Sequence, residues 1–178
     1  MARPIELVPL VCVRCAARLP ARPEEVAWVC AQCGQGQQLD QQKGLLPLDI
    51  HYAPGVAAAK KGKPFWVAEG QVSLTRQTYS GNQDRDAQQF WGVARKFFIP
   101  AFELPLEQLL TLGRQYLLQP PLLSAGTLVA FEPVTLAPQD VPALAEFTVM
   151  ALEAERKDKL KELRIALELQ PPVLWVLP

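Results

Sequence analysis

All four cysteines of the chain fall within its first 33 residues, as Cys12-x2-Cys15, a gap of 14 residues, and Cys30-x2-Cys33. Two residues between cysteines let a tight turn aim both sulfurs at one point. Two such knuckles held face to face supply four thiolates in a tetrahedron, the geometry of structural zinc. Each knuckle follows a β-rich run, residues 7–11 before Cys12 and residues 26–29 before Cys30. Gly34, directly after Cys33, can take the positive φ that turns backbone N–H groups toward sulfur. Two disulfides or a tetrathiolate iron site are the other chemistries open to such cysteines. The opening residues carry no long apolar segment or small-residue cleavage site, so a secretory signal is not expected. A cytoplasmic, reducing compartment then disfavours the disulfides.

On this paired spacing, residues 5–50 resemble the zinc ribbon family; the remainder of the chain carries no such resemblance. The resemblance implies a small β ribbon holding one structural Zn²⁺ on Cys12, Cys15, Cys30 and Cys33. Four protein thiolates fill the coordination sphere, which leaves no open position for catalysis. Family members often have glycine after both knuckles, whereas Ala16 follows Cys15, so weaker backbone hydrogen bonding is expected at the first. A rubredoxin-like iron site built on the same knuckles would make the chain an electron carrier. A thioredoxin-type pair needs one C-x-x-C at a helix start rather than two matched knuckles.

Charge narrows the choice of partner. The chain has 18 basic and 18 acidic side chains and one histidine. Binding nucleic acid mainly through phosphates needs a basic excess that is absent here. Through residue 45 the basic side chains exceed the acidic ones by one, and four thiolates with one Zn²⁺ reverse that sign. No stretch approaches the roughly 18 consecutive apolar residues of a spanning helix. Apolar residues make up 49% of the chain, enough for a globular core. The 17 prolines, nearly twice the usual frequency of about 5%, point to many short elements.

The expected architecture is α+β, with a ribbon at residues 1–55, a linker at 56–64, and an α+β domain at 65–178 holding a small sheet and about three helices. The glutamine-rich residues 35–42 read as a solvated hairpin tip, and residues 45–50 as the third ribbon strand or the way out of it. His51 sits before a turn and reads as a surface or packing residue rather than a ligand. Residues 65–79 read as extended, with a turn or bulge at Glu69-Gly70. A helix capped by Asp84 or Asp86 is expected through Phe98, with Phe90, Val93, Ala94 and Phe97 on one face. A second should start at Pro105, turn Leu106, Leu109 and Leu110 inward and stop at Gly113. A third should start at Asp140-Val141-Pro142. Residues 98–102 and 127–131 read as strands, and residues 153–161 as a solvated helix end. Residues 160–169 fit a half-buried strand better than a helix. The apolar run 173–177 reads as a strand covered on both faces.

No catalytic constellation stands out. The chain has no G-x-S-x-G and no phosphate loop, and its only histidine lies in a turn. Glu69, Asp84, Asp86 and Glu103 are the carboxylates weighed for acid–base work, with no reason to converge. The function expected is a non-enzymatic structural or adaptor subunit that binds a protein partner, within a larger complex. Phe65, Trp66, Trp91, Phe97, Phe98 and Trp175 serve as candidate anchors. The runner-up is a nucleic-acid-associated ribbon using Arg14, Arg18 and Arg22 with Lys60, Lys61 and Lys63. Peripheral membrane contact through those lysines and Phe65-Trp66 stays open.

Overall fold

The computed structural model describes residues 8–57 and 59–178. Leu7, which opens the β-rich run before the first knuckle, and Ala58 lie outside them, as do Arg3 and Glu6. Among the described residues the chain is α+β, with three α-helices and sheets of three and five strands.

The small sheet surrounds the cysteines. Strands β1 (Ala27–Val29), β2 (Gly36–Asp40) and β3 (Gly44–Pro47) pair antiparallel in that order. The second knuckle links β1 to β2. The link from β2 to β3 is short because Asp40 Oδ1 accepts the N–H groups of Gln42 and Lys43, each at 2.8 Å. Those two donors hold the Asp40 carboxyl below its ordinary range. The glutamine-rich stretch is a solvated tip only at Gln41 and Gln42, which are exposed in that turn. Residues 36–40 are instead the central strand, and Gln37 is fully buried. Pairing on both edges of β2 outweighs the polarity of its side chains.

The larger sheet is organised by one strand, β5 (Lys63–Ser80), which is 18 residues long. Beside its first half lies β6 (Arg95–Pro100), paired from Phe65 to Gly70. Along its other edge run β7 (Lys159–Leu169) and then β8 (Val173–Leu177), both antiparallel. They are separated by Pro171 and Pro172, which have no N–H to donate to the ladder. Strand β4 (Ile50–Tyr52) closes the order, parallel to β8. Residues 45–50 thus serve both expected roles, since β3 ends at Pro47 and Ile50 enters the larger sheet. Alternation sends Trp66, Ala68 and Val72 into one buried cluster and Phe65 and Val67 into another.

Helices α1 (Asp84–Trp91), α2 (Leu106–Leu118) and α3 (Val141–Ala154) complete the fold. Trp66, Phe97, Ile99 and Leu174 from the sheet share one core with Leu109 and Leu117 of α2 and Val141, Ala145 and Val149 of α3. The small sheet joins this core. Val26 N–H donates to Val134 O at 2.8 Å, Ala27 bridges Val134, and Ala27 is buried with Trp66.

Several expectations need correction. Glu69-Gly70 is no bulge; β5 runs straight through, and its irregularities lie between Gln77 and Ser80. Gly70 is small for another reason: a Cβ there would lie 2.4 Å from Glu168 O, where β7 comes closest. Helix α1 stops at Trp91 and residues 95–100 make β6, because pairing with β5 buries Phe97 and Ile99 on one face and Phe98 on the other; Val93 is left exposed. Helix α2 passes through Gly113, which faces Thr148 of α3 instead of ending the helix, and Leu106 is exposed. Residues 127–131 form no strand beyond a bridge from Phe131 to Gly62. Residues 160–169 are strand, and Leu174, Val176 and Leu177 of β8 are buried.

Candidate metal centre

The four cysteines meet at one point. Their Sγ atoms all lie within 4.8 Å of one another, with Cys12 to Cys33 at 3.5 Å and Cys15 to Cys30 at 3.6 Å. None is in a disulfide. A tetrahedral zinc with Zn–S of about 2.3 Å would set its sulfurs about 3.8 Å apart. The thiols therefore fit around one such ion with only a slight adjustment. Leu19 and Trp28 pack beside buried Cys12 and Cys30, and Leu39 and Leu45 close around them. Trp28 Nε1 donates to Glu25 Oε2 at 2.9 Å, which fixes the ring over the site.

The two knuckles are built alike despite their different sequences. In the first, Cys12 N–H donates to Ala17 O and Ala16 N–H to Cys12 O, at 2.7 and 2.9 Å. In the second, Cys30 N–H donates to Gln35 O and Gly34 N–H to Cys30 O, both at 2.9 Å. Ala16 and Gly34 occupy the same place, with φ of 58° and 73°. Ala16 is the non-glycine residue among those described with positive φ. The missing glycine therefore does not weaken backbone bonding as expected. Its consequence is strain, since a Cβ in this region costs about 1 kcal/mol or more.

Electrostatics at the site call for a cation. Burial opposes charge on Cys12, but N–H groups of Cys15 and Arg14 and the neighbouring thiols outweigh it and hold Cys12 at about 6. Arg14 N–H lies 3.4 Å from Cys12 Sγ. Cys15 is pushed up to about 12: the Ala17 backbone favours its thiolate, but burial and the three other cysteines oppose it more strongly. One thiolate is stabilised by its neighbours as donors, and further ionisation places like charges side by side. A divalent ion removes that conflict, and the donor set is soft sulfur, which selects zinc or iron over magnesium or calcium. Gln37 supports the first knuckle from β2, its Oε1 accepting Val13 N–H at 3.0 Å.

The other candidate residues are placed elsewhere. His51 is exposed in β4 and stacks on Trp175 at 4.9 Å between ring centroids. Glu69 and Asp84 line different clefts, the first with Gln71 and Glu168, the second with Arg76 and Gln88. Asp86 and Glu103 are exposed. Phe65, Trp66, Trp91, Phe97 and Phe98 are buried, so these rings fill the core and present no anchors at the surface.

A second polar centre went unseen in the sequence. Arg76, on the inward face of β5, donates two bonds to Asp158, from Nη1 at 3.0 Å and Nη2 at 2.9 Å, and one to Asp84 at 2.9 Å. Its Nε lies 2.8 Å from Glu153 Oε2, an ion pair too bent to count as a hydrogen bond. Glu153 also accepts from Trp91 Nε1 and from Arg156 Nε, both at 2.8 Å. Asp158 caps the approach to α1 by accepting Gln83 N–H at 3.1 Å. Arg76 holds the Asp158 carboxyl below its ordinary range, chiefly by hydrogen bonding. Residues 153–161 are thus a solvated helix end only in part: Glu155, Lys157, Lys159 and Lys161 are exposed, whereas the Glu153 and Asp158 side chains are buried. The available signal was Arg76 itself, a charge on the apolar face of an alternating strand beside Val72 and Leu74, which demands a partner.

Compared with known proteins, the chain matches no family model, no curated protein and no solved structure.

Proposed function

We propose that Cys12, Cys15, Cys30 and Cys33 hold one structural Zn²⁺ and that the protein is a non-enzymatic adaptor whose zinc ribbon binds a protein partner. The observation that carries this reading is the convergence of four thiols from two matched knuckles, a closed set with no position left for a substrate. Zinc would supply the charge that lets all four thiolates coexist, and the chain's own residues would orient them. The two knuckle turns aim the sulfurs, Gln37 holds the first turn, and Trp28 shields the second. Partner binding is supported by Val8, Leu10 and Val13, which leave apolar surface exposed along the first knuckle.

Elemental analysis and native mass of the protein purified under mild lysis test the reading. One zinc per chain, a colourless solution and a mass well above 20 kDa are expected. Iron with visible thiolate absorption would replace the metal assignment by the electron-carrier alternative. A zinc-loaded monomer without any stable partner would overturn the adaptor role and leave the metal site standing.

A further inference from the structure

We infer that the loop between α2 and α3, together with the lysines before β5, forms a docking surface for an anionic membrane. Leu122 and Leu128 are the most exposed leucines among the described residues, at 82% and 68%. The loop that carries them is fastened to the body rather than loose. Gly126 N–H donates to Tyr52 O at 2.6 Å, and Leu123 packs on the cluster of Ala53, Phe65 and Phe102. Further along, Gly62 N–H donates to Ala130 O at 2.8 Å and Glu132 N–H to Gly62 O at 2.9 Å. The parallel bridge from Gly62 to Phe131 runs the end of the loop, three residues beyond Leu128, along the lysine segment.

Charge selects the occupant. Residues 50–68 contain no acidic side chain and three lysines, Lys60, Lys61 and Lys63, all exposed. Residues 115–131 contain no charged side chain at all. The nearest acidic residues along the chain are Asp49 and Glu69 on either side of the first stretch and Glu107 and Glu132 on either side of the second. The fold thus lays an uncharged loop tipped with leucines beside a lysine segment, in which Lys61 shares a cleft with Arg22, Glu25 and Glu132. An anionic bilayer satisfies both halves: headgroups take the lysines, and leucines enter the acyl boundary. Nucleic acid would take the lysines only, because bases stack on aromatic rings and Phe65 and Trp66 are fully buried. For the same reason it is the leucines, and not Phe65-Trp66, that would insert.

The test is sedimentation of the full zinc-loaded chain with phosphatidylcholine vesicles, with and without phosphatidylserine. Binding to the serine-containing vesicles alone is expected, weakening with added salt. Lys60→Gln and Lys61→Gln should lower partitioning about five-fold each. Leu122→Ser with Leu128→Ser should lower it at least about ten-fold while circular dichroism and zinc content stay unchanged. No binding to anionic vesicles at low salt overturns the proposal. So does binding indifferent to the leucine changes, which would be charge adsorption alone. Displacement from vesicles by single-stranded RNA at lower concentration would assign the surface to nucleic acid instead.

Discussion

The molecule holds two polar centres that solve opposite problems. In the ribbon, four thiols gather within 4.8 Å with no positive side chain among them. Beneath the larger sheet, Arg76 and Arg156 meet Glu153, Asp158 and Asp84, so the charges come close to cancelling one another. As proposed above, an ion from outside completes the first centre; the second is complete in the chain alone. The comparison teaches where each half of the fold takes its stability. The ribbon has a buried cluster of only four residues, two of them cysteines. The rest of the molecule has a core of many large apolar side chains and uses its ion network to lock α1, α3 and the residue before β7 to β5.

Removing the metal should separate the halves most sharply. Structural zinc contributes on the order of 10 kcal/mol to a small site, most of it as folding energy. A strong chelator, or Cys30→Ser, should therefore open residues 8–48 to protease while β5 to β8 stay protected. Mass spectrometry of the fragments reads this directly. An intact ribbon after complete loss of metal would break the comparison.

The next effect belongs to the other centre. Glu153→Gln keeps the shape but leaves Arg76 and Arg156 short of a buried counter-charge, a loss of about 3–5 kcal/mol. Urea unfolding of the larger sheet should shift accordingly, with one zinc per chain retained. If Glu153→Gln instead releases the metal, the two centres are coupled and the two halves are not independent.

How far each centre could be read in advance follows from chain separation. The cysteines span positions 12 to 33, and each ligand pair lies within one turn, so spacing alone carries the geometry. The strand character of residues 160–169 was also visible, because alternation of Leu163, Ile165, Leu167 and Leu169 is a local signal. Arg76 and Asp158 stand 82 residues apart, and no local pattern joins them. Only the inward position of Arg76 hinted at a partner, without naming it. The β6 region failed for a related reason: Phe97 and Phe98 fit a helix face or two strand faces equally well, and the neighbouring β5 decides between them.

Acid should dismantle the two centres in order. Zinc must compete with protons for all four thiols, so acid displaces the metal. Asp158 is held below its ordinary range in the fold. Its contribution is fully present above the ordinary carboxyl value near 3.8 and is lost as pH falls through the depressed one. Metal release followed by a chromogenic chelator should precede loss of sheet circular dichroism as pH is lowered. Coincident transitions would mean that one centre controls both halves.

The smallest effect is also the most local, and it compares the two knuckles with each other. Ala16 and Gly34 share one backbone conformation, but only Ala16 carries a Cβ in the left-handed region. Ala16→Gly should stabilise the metal-loaded ribbon by roughly 0.5–1 kcal/mol, the relief of strain less the added freedom of glycine in the unfolded chain. Gly34→Ala should destabilise it by about 1 kcal/mol. A Cβ at position 34 would meet no heavy atom within 4 Å, so strain is the only contribution and no clash confuses the sign. Measured as zinc affinity in a competition assay, the two changes should move in opposite directions. If both lower affinity, the first knuckle has adapted to its alanine through contacts the second lacks, and the likeness of the two turns is one of shape without equal energy.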